Sequence, residues 1–313
     1  MELNLTPKSN TRENDMHHFK IVSDFGCDLP AHMIEAADIE IIPTVLHIEG
    51  EHNIATHEIE ISDFYAKLRQ KKMIRTSAIG IGTFEEHFRA IFEKGDDVIY
   101  IGMSSGLSGT FGAAKIAAEG LRESYPERKV AFIDTHSGCG GEGLIAYLAA
   151  EKKAEGADFE QTVSYLETMA CRLCSWFMAD DLFFLMRGGR LRASSAVVGS
   201  LLMIKPIIGV NEEGKLVATE KARGRKGAMN VLLNKLETHV DDHENTTVVI
   251  SHSDCMGDAV KLEMMIRAKW NVKDVIITDI GPAFGAHCGP DTIAIFFVGK
   301  EQPQETENNN ENK

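Results

Sequence analysis

Val98-Ile99-Tyr100-Ile101-Gly102-Met103-Ser104-Ser105-Gly106-Leu107-Ser108-Gly109-Thr110-Phe111-Gly112-Ala113-Ala114-Lys115-Ile116-Ala117-Ala118 decides the fold class. The opening apolar run reads as a buried strand, Ser104 to Thr110 as a turn, and the small and apolar residues from Phe111 as a helix. A helix N-terminus presents backbone N–H groups without intrahelical partners and a partial positive charge. Hydroxyls crowded at that place either cap the helix or cradle an anion, a carboxylate or a phosphate. The turn contains no lysine, which excludes a Walker-type nucleotide loop.

The same alternation spreads outward from this stretch. Phe19 to Val22 and Lys129 to Asp134 read as further strands, Asp24 to Pro30 as a turn into a helix, and Glu142 to Lys153 as a helix. Strands alternating with helices predict a parallel sheet covered on both faces. Ile39 to Ile42 and Val45 to Ile48 read as edge strands limited by Pro43. Ser62 is expected to cap a short helix, and Thr83-Phe84-Glu85-Glu86 to open another as a capping box. After Glu155-Gly156-Ala157 the pattern changes. A helix near 159–174 is followed by Trp176-Phe177-Met178 and a helix-like run at 181–186 that Gly188-Gly189 breaks. Ile204 to Ile208 leads into Asn211-Glu212-Glu213-Gly214, a hairpin signal, with Leu216 to Thr219 returning. Thr247 to Ser251, Val275 to Asp279 and Thr292 to Val298 are further strands. The expectation is α/β, with two α/β domains: a parallel-sheet domain over residues 19–157 and a mixed α+β domain over 158–300, flanked by a disordered leader (1–18) and a polar tail (301–313).

Composition narrows the function. Thirty-three basic against 47 acidic residues leave a net charge of −14, which argues against nucleic acid or an anionic membrane as the main partner. No apolar run approaches the ~20 residues of a membrane span, and Met1 to His18 lacks a signal-peptide core, so a cytoplasmic location is expected. Of the six cysteines only Cys171 and Cys174 are close; one such pair is a poor metal or redox signature, and no metal is expected. His252 and Asp254 form a His-x-Asp pair with no further ligands at metal spacing.

Several polar loops follow strands, where ligands bind in open α/β sheets. Arg75-Thr76-Ser77 precedes a helix. Asp134 to Gly143 follows a strand, as does Ile280-Gly281-Pro282-Ala283-Phe284-Gly285-Ala286-His287-Cys288-Gly289-Pro290. Arg187-Gly188-Gly189-Arg190-Leu191-Arg192 is basic in an acidic chain and reads either as a solvated turn or as a contact for a phosphate or a partner's carboxylates. Lys221 to Lys226 admits the same two readings. Gly102-Met103-Ser104-Ser105-Gly106 has the spacing of a nucleophile elbow, which keeps a serine hydrolase or phosphotransfer enzyme using Ser104 or Ser105, with His287, as an alternative.

Taken in order, Cys27-Asp28-Leu29-Pro30, Thr76-Ser77, Ser104 to Thr110, Asp134 to Gly143, Gly188-Gly189-Arg190, Lys205-Pro206 and Ile280 to Pro290 resemble the DegV family, which includes the fatty-acid-binding B subunits of bacterial fatty acid kinase. The resemblance implies two α/β domains with a long-chain fatty acid buried between them and no other cofactor. It implies a carboxylate held by Thr76 or Ser77, Ser104 or Ser105, and His287 in its Gly285-Ala286-His287 loop. It implies a chain without catalysis of its own, which presents the carboxylate to a separate ATP-dependent kinase for acyl-phosphate formation and phospholipid synthesis. Arg190, with Arg187 beside it, would then contact that partner. The chain departs from the family where Ala78-Ile79-Gly80 replaces the usual Gln-Pro-Ser and where Asp24-Phe25-Gly26-Cys27 replaces Asp-Ser-Thr-Cys.

Overall fold

The computed structural model describes residues 18–191 and 204–300. The expectations for 1–17, Arg192 and 301–313 lie outside them. In chain order the first part contains β1 (Phe19–Asp24), α1 (Ala31–Ala36), β2 (Ile39–Ile42), β3 (Val45–Ile48), β4 (Ile54–Ala55), α2 (Ile61–Arg69), β5 (Ile74–Thr76), α3 (Ile81–Phe92), β6 (Asp97–Gly102), α4 (Thr110–Leu121), β7 (Val130–Asp134) and α5 (Gly140–Ala154). The second part contains α6 (Phe159–Cys171), β8 (Leu173–Met178), α7 (Phe183–Arg187), β9 (Ile204–Val210), β10 (Leu216–Arg223), α8 (Gly224–His239), β11 (Thr247–His252), α9 (Met256–Lys269), β12 (Asp274–Asp279), α10 (Pro282–Cys288) and β13 (Ile293–Val298).

β2, β1, β6 and β7 form a parallel sheet in that order, with Val22 beside Tyr100 and Tyr100 beside Phe132. β10, β9, β8, β13, β11 and β12 form a mixed sheet whose only parallel pair is β11–β12. The two-domain α/β expectation is met. One face of the first sheet packs on α3 and α4 through Phe84, Phe88, Tyr100 and Phe111. The outer face of the second packs on α8 and α9 through Trp176, Leu232, Leu262 and Phe297.

Between the sheets lies α5, with α6 beside it. Leu144, Ile145, Ala146 and Ala149 are buried because α5 touches both sheets. Its opening glycines permit that approach: a methyl on Gly140 would meet Ser251 Oγ and Val249 at 2.5 Å. The expected boundary near residue 157 falls between α5 and α6. Both helices pack on the first sheet, and the chain enters the second at Leu173.

Three local expectations are corrected. Pro43 has no N–H to continue the parallel ladder, so the chain leaves the first sheet there. β2 is an edge strand, but β3 is the centre of a separate antiparallel sheet, β4-β3-β5. α2 begins after Glu60 and α3 after Gly80, neither with a side-chain cap, so Ser62 and Thr83 lie inside their helices. Cys171 ends α6 exposed while Cys174 is buried in β8; the backbone passes from helix to strand between them.

Candidate functional site

A cavity lies at the carboxyl ends of the parallel strands, walled by the loops that follow β1, β6 and β7, by β5, β8 and β13, and by the β9–β10 hairpin, α7 and α10. Most of its wall is apolar: Phe25, Met103, Leu107, Phe177, Phe284 and Phe296 contribute. Half-buried Thr76, Ser77, Ser108, Arg190 and His287 line one end; buried Ser137, Cys139, Ser175 and Phe296 line other parts of the wall.

The polar end is assembled from four separate places in the chain. Thr76 closes β5, and its Oγ1 lies 2.9 Å from Nε2 of His287 on α10. Ser77 follows, but its hydroxyl is engaged by Nε2 of His47 at 2.6 Å. Ser108 shares a 2.9 Å hydroxyl contact with Thr110 at the start of α4. Arg190 leaves α7 through Gly188-Gly189. Its Nη1 donates to the Gly188 carbonyl at 2.6 Å and its Nε to the Leu107 carbonyl at 3.3 Å. No carboxylate among the described residues pairs with it, and burial holds its pKa below the ordinary arginine value.

Burial, then Arg190 and Arg187, pull the His287 imidazole down to about 4, so it is neutral near pH 7. Gly188 brings the arginine turn against it: a methyl there would lie 2.4 Å from His287 Nδ1. A neutral imidazole, a threonine hydroxyl and an uncompensated guanidinium can together receive one anionic oxygen pair.

Of the residues expected to hold a ligand, Thr76, Ser77 and His287 line the cavity, whereas Ser104, Ser105, Gly285 and Ala286 do not. Ser104 is wholly buried and donates to the Gly214 carbonyl at 2.7 Å. Ser105 is exposed, its N–H 3.3 Å from Asp134 Oδ1. Neither serine is hydrogen-bonded to His287, whose side-chain partner is Thr76. Gly285 instead lets α10 press on α2, where a methyl would meet Phe64 at 2.6 Å, and Ala286 joins the core beneath β3 and β5. Arg190 is a cavity residue as well as a surface one; Arg187 lies over the Phe184 ring at 5.1 Å, outside the cavity.

Ser108 and Ser137 lie in the Ser104–Thr110 turn and the Asp134–Gly143 loop, both read as candidate ligand loops, but neither serine was singled out there; Ser175 carried no signal. His252 is buried with Asp279 Oδ1 3.5 Å from Nδ1, while Asp254 pairs with Arg69. Among the described residues no group of three or more histidines, cysteines and acids is placed to hold a metal ion. Among them also, no helix is long and apolar enough to cross a membrane.

The model of the DegV family, described as uncharacterised proteins, matches residues 18–300. The chain belongs to the DegV family. A DegV domain-containing protein of Clostridium perfringens is 38% identical over 286 residues, 91% of this chain and 98% of that one. Among solved structures, a DegV described as a fatty acid binding protein from Bacillus subtilis superposes with a TM-score of 0.80 at 29% identity, covering 91% of this chain and 100% of that one. A DegV lipid binding protein from Thermotoga maritima gives 0.80 at 27% identity, over 91% and 100% of the two chains. A DegV family protein of Thermus thermophilus, whose structure describes fatty acid binding, gives 0.81 at 26%, over 90% and 99%.

Proposed function

We propose that this chain binds one long-chain fatty acid, its acyl chain in the apolar cavity and its carboxylate at Thr76, Ser108, Arg190 and His287. The observation that carries the reading is Arg190, half-buried beside a neutral histidine at one end of an apolar cavity, with no acid of the described chain to balance it. A buried carboxylate must be hydrogen-bonded or its desolvation is prohibitive, and this corner supplies both donors and charge. Each buried methylene adds ~0.8 kcal/mol, so a chain of about fifteen binds tightly after ordering costs. Fatty acid binding by the Bacillus and Thermus relatives supports the same ligand class.

The chain performs no chemistry of its own in this reading. It presents the carboxylate to a separate ATP-dependent kinase, which forms the acyl phosphate in the cytoplasm; Arg187 and exposed Phe183 stand beside the site as partner contacts. A serine hydrolase is not favoured, because the Ser104 hydroxyl is committed to a backbone carbonyl.

Native mass spectrometry of the purified protein, with identification of the extracted lipid, tests the binding. A mass excess of one long-chain fatty acid supports it; an empty protein that takes up no added fatty acid overturns it. Incubation with ATP and a fatty acid kinase subunit tests the second half: acyl phosphate should require both proteins, and turnover by this chain alone would end the division of labour.

A further inference from the structure

Beyond its polar end the cavity wall should be inert towards an alkyl chain, and it is not. Ser137, in the loop between β7 and α5, and Ser175, on β8, both line the cavity, and both are buried. Their hydroxyl oxygens lie 2.9 Å apart. Two hydroxyls carry two protons, and one proton serves the contact between them. For the other, the acceptor present is the Gly138 carbonyl, 3.4 Å from Ser137 Oγ, at the outer limit of a hydrogen bond. Three other buried serines, Ser23, Ser104 and Ser253, donate to backbone carbonyls at 2.8, 2.7 and 2.7 Å.

The pair is held in place. The Ser137 carbonyl accepts from Ser104 N–H at 2.8 Å, and Ser175 is fixed in β8 opposite Phe296 of β13. A methyl on Gly141 would come within 2.2 Å of Ser137 Oγ, so the hydroxyl is seated against α5. Ser175 and Phe177 alternate onto the cavity face of β8, while the chain reaches Arg190 only after α7. Neither hydroxyl is hydrogen-bonded to Thr76, Ser108, Arg190 or His287; the bonds they make are with each other and with the Gly138 carbonyl.

We propose that Ser137 and Ser175 form a second polar subsite that selects a long-chain fatty acid bearing a hydroxyl group within its acyl chain. A chain hydroxyl accepts the spare serine proton and donates to a serine lone pair, whereas a plain methylene does neither. The inference rests on the fatty acid reading and adds a substrate class to it.

Displacement of a fluorescent fatty acid from the delipidated protein tests the subsite. The competitors are stearate and a series of hydroxystearates with the hydroxyl at successive mid-chain carbons. In the unaltered protein at least one isomer should bind about tenfold more tightly than stearate. That advantage should vanish in the Ser137→Ala/Ser175→Ala double variant, and Ser175→Cys, similar in size but a poorer donor, should fall between. Thermal melts of each variant establish that it is folded. If no isomer outbinds stearate, or the advantage survives the double substitution, the subsite is refuted while fatty acid binding stands. If folded protein binds neither stearate nor any isomer, the fatty acid reading itself falls and takes the subsite with it.

Discussion

The turn at Ser104 to Thr110 and the corner formed by Thr76, Arg190 and His287 hold similar chemistry, hydroxyls and N–H donors short of acceptors, yet one is filled and the other stands open. At the turn, the tip of the β9–β10 hairpin supplies the acceptor. Ser104 donates to the Gly214 carbonyl, and a methyl on Gly106 would come within 2.2 Å of the Glu213 carbonyl oxygen. Backbone carbonyls of the chain's own second sheet take the place that an anion would occupy. At the corner, Arg190 leans on two carbonyls and no carboxylate of the described chain reaches it. Donors alone do not make a ligand site; the site is where the fold leaves them without an acceptor.

Breaking the filled side should have the largest effect. Gly214 has φ 70°, and a methyl on it would lie 2.2 Å from Ser104 Oγ. Gly214→Ala should therefore cost about 3 kcal/mol, from left-handed backbone strain and overpacking together. Urea unfolding measures it; an unchanged midpoint would mean that the hairpin tip does not seat on the turn. On the open side, Arg190→Gln keeps much of the side chain's bulk and removes the charge. It should weaken fatty acid affinity about thirtyfold, roughly 2 kcal/mol, with little change in stability. Equal binding by the variant would remove Arg190 from the carboxylate site.

The corner also has a pH signature. His287 sits at about 4 in the folded chain against ~6.5 unfolded. Between those values the unfolded chain binds a proton that the folded chain does not, so stability falls as pH drops through this window. Asp28 acts oppositely. Burial lifts it to about 7, and the folded chain holds its proton where the unfolded one, near ~3.9, has lost it. Its stabilisation is present in acid and lost as pH rises towards 7. Burial raises the Asp24 and Glu142 carboxyls in the same direction. His287→Gln removes only the first contribution. The stability difference between delipidated wild type and variant should thus change by about 2 kcal/mol between roughly pH 6.5 and 4.5. A constant difference would mean that His287 is not held neutral.

How much of this was legible in the chain follows from the range of each interaction. The strand-turn-helix stretch at Val98 to Ala118 encodes its local structure within a few residues, and the parallel sheet follows from its repetition. Thr76 was readable as a candidate because its hydroxyl pair precedes a helix, and His287 because its glycine- and proline-rich stretch follows a strand. That they meet, 211 residues apart, was not, nor was the hairpin that reaches Ser104 from 110 residues away. α5 gave no sign of its place between two sheets beyond unusually few polar residues in its first turns. Ser175 looked like any small residue in a strand, since an alternation of two faces does not tell which one meets a cavity.

The smallest expected effects separate the two serines that sequence reading treated as one choice. Ser104→Ala strips a buried hydroxyl from the Gly214 carbonyl and from the Gly106 N–H that it accepts at 3.1 Å. It should cost about 1–2 kcal/mol in stability and leave fatty acid affinity within about twofold, because the hydroxyl does not face the cavity. Ser105 is exposed and meets the fold through its backbone N–H. Ser105→Ala should stay within about 0.5 kcal/mol of wild type and change neither lipid binding nor the hydrolysis of a generic ester, which should be at background in both. Ester turnover that the wild type shows and Ser105→Ala lacks would invert the comparison: the open site would then be the turn, with Ser105 as nucleophile beside Asp134, whose carboxylate lies 3.8 Å from Nε2 of His136, and the corner at His287 would need another explanation.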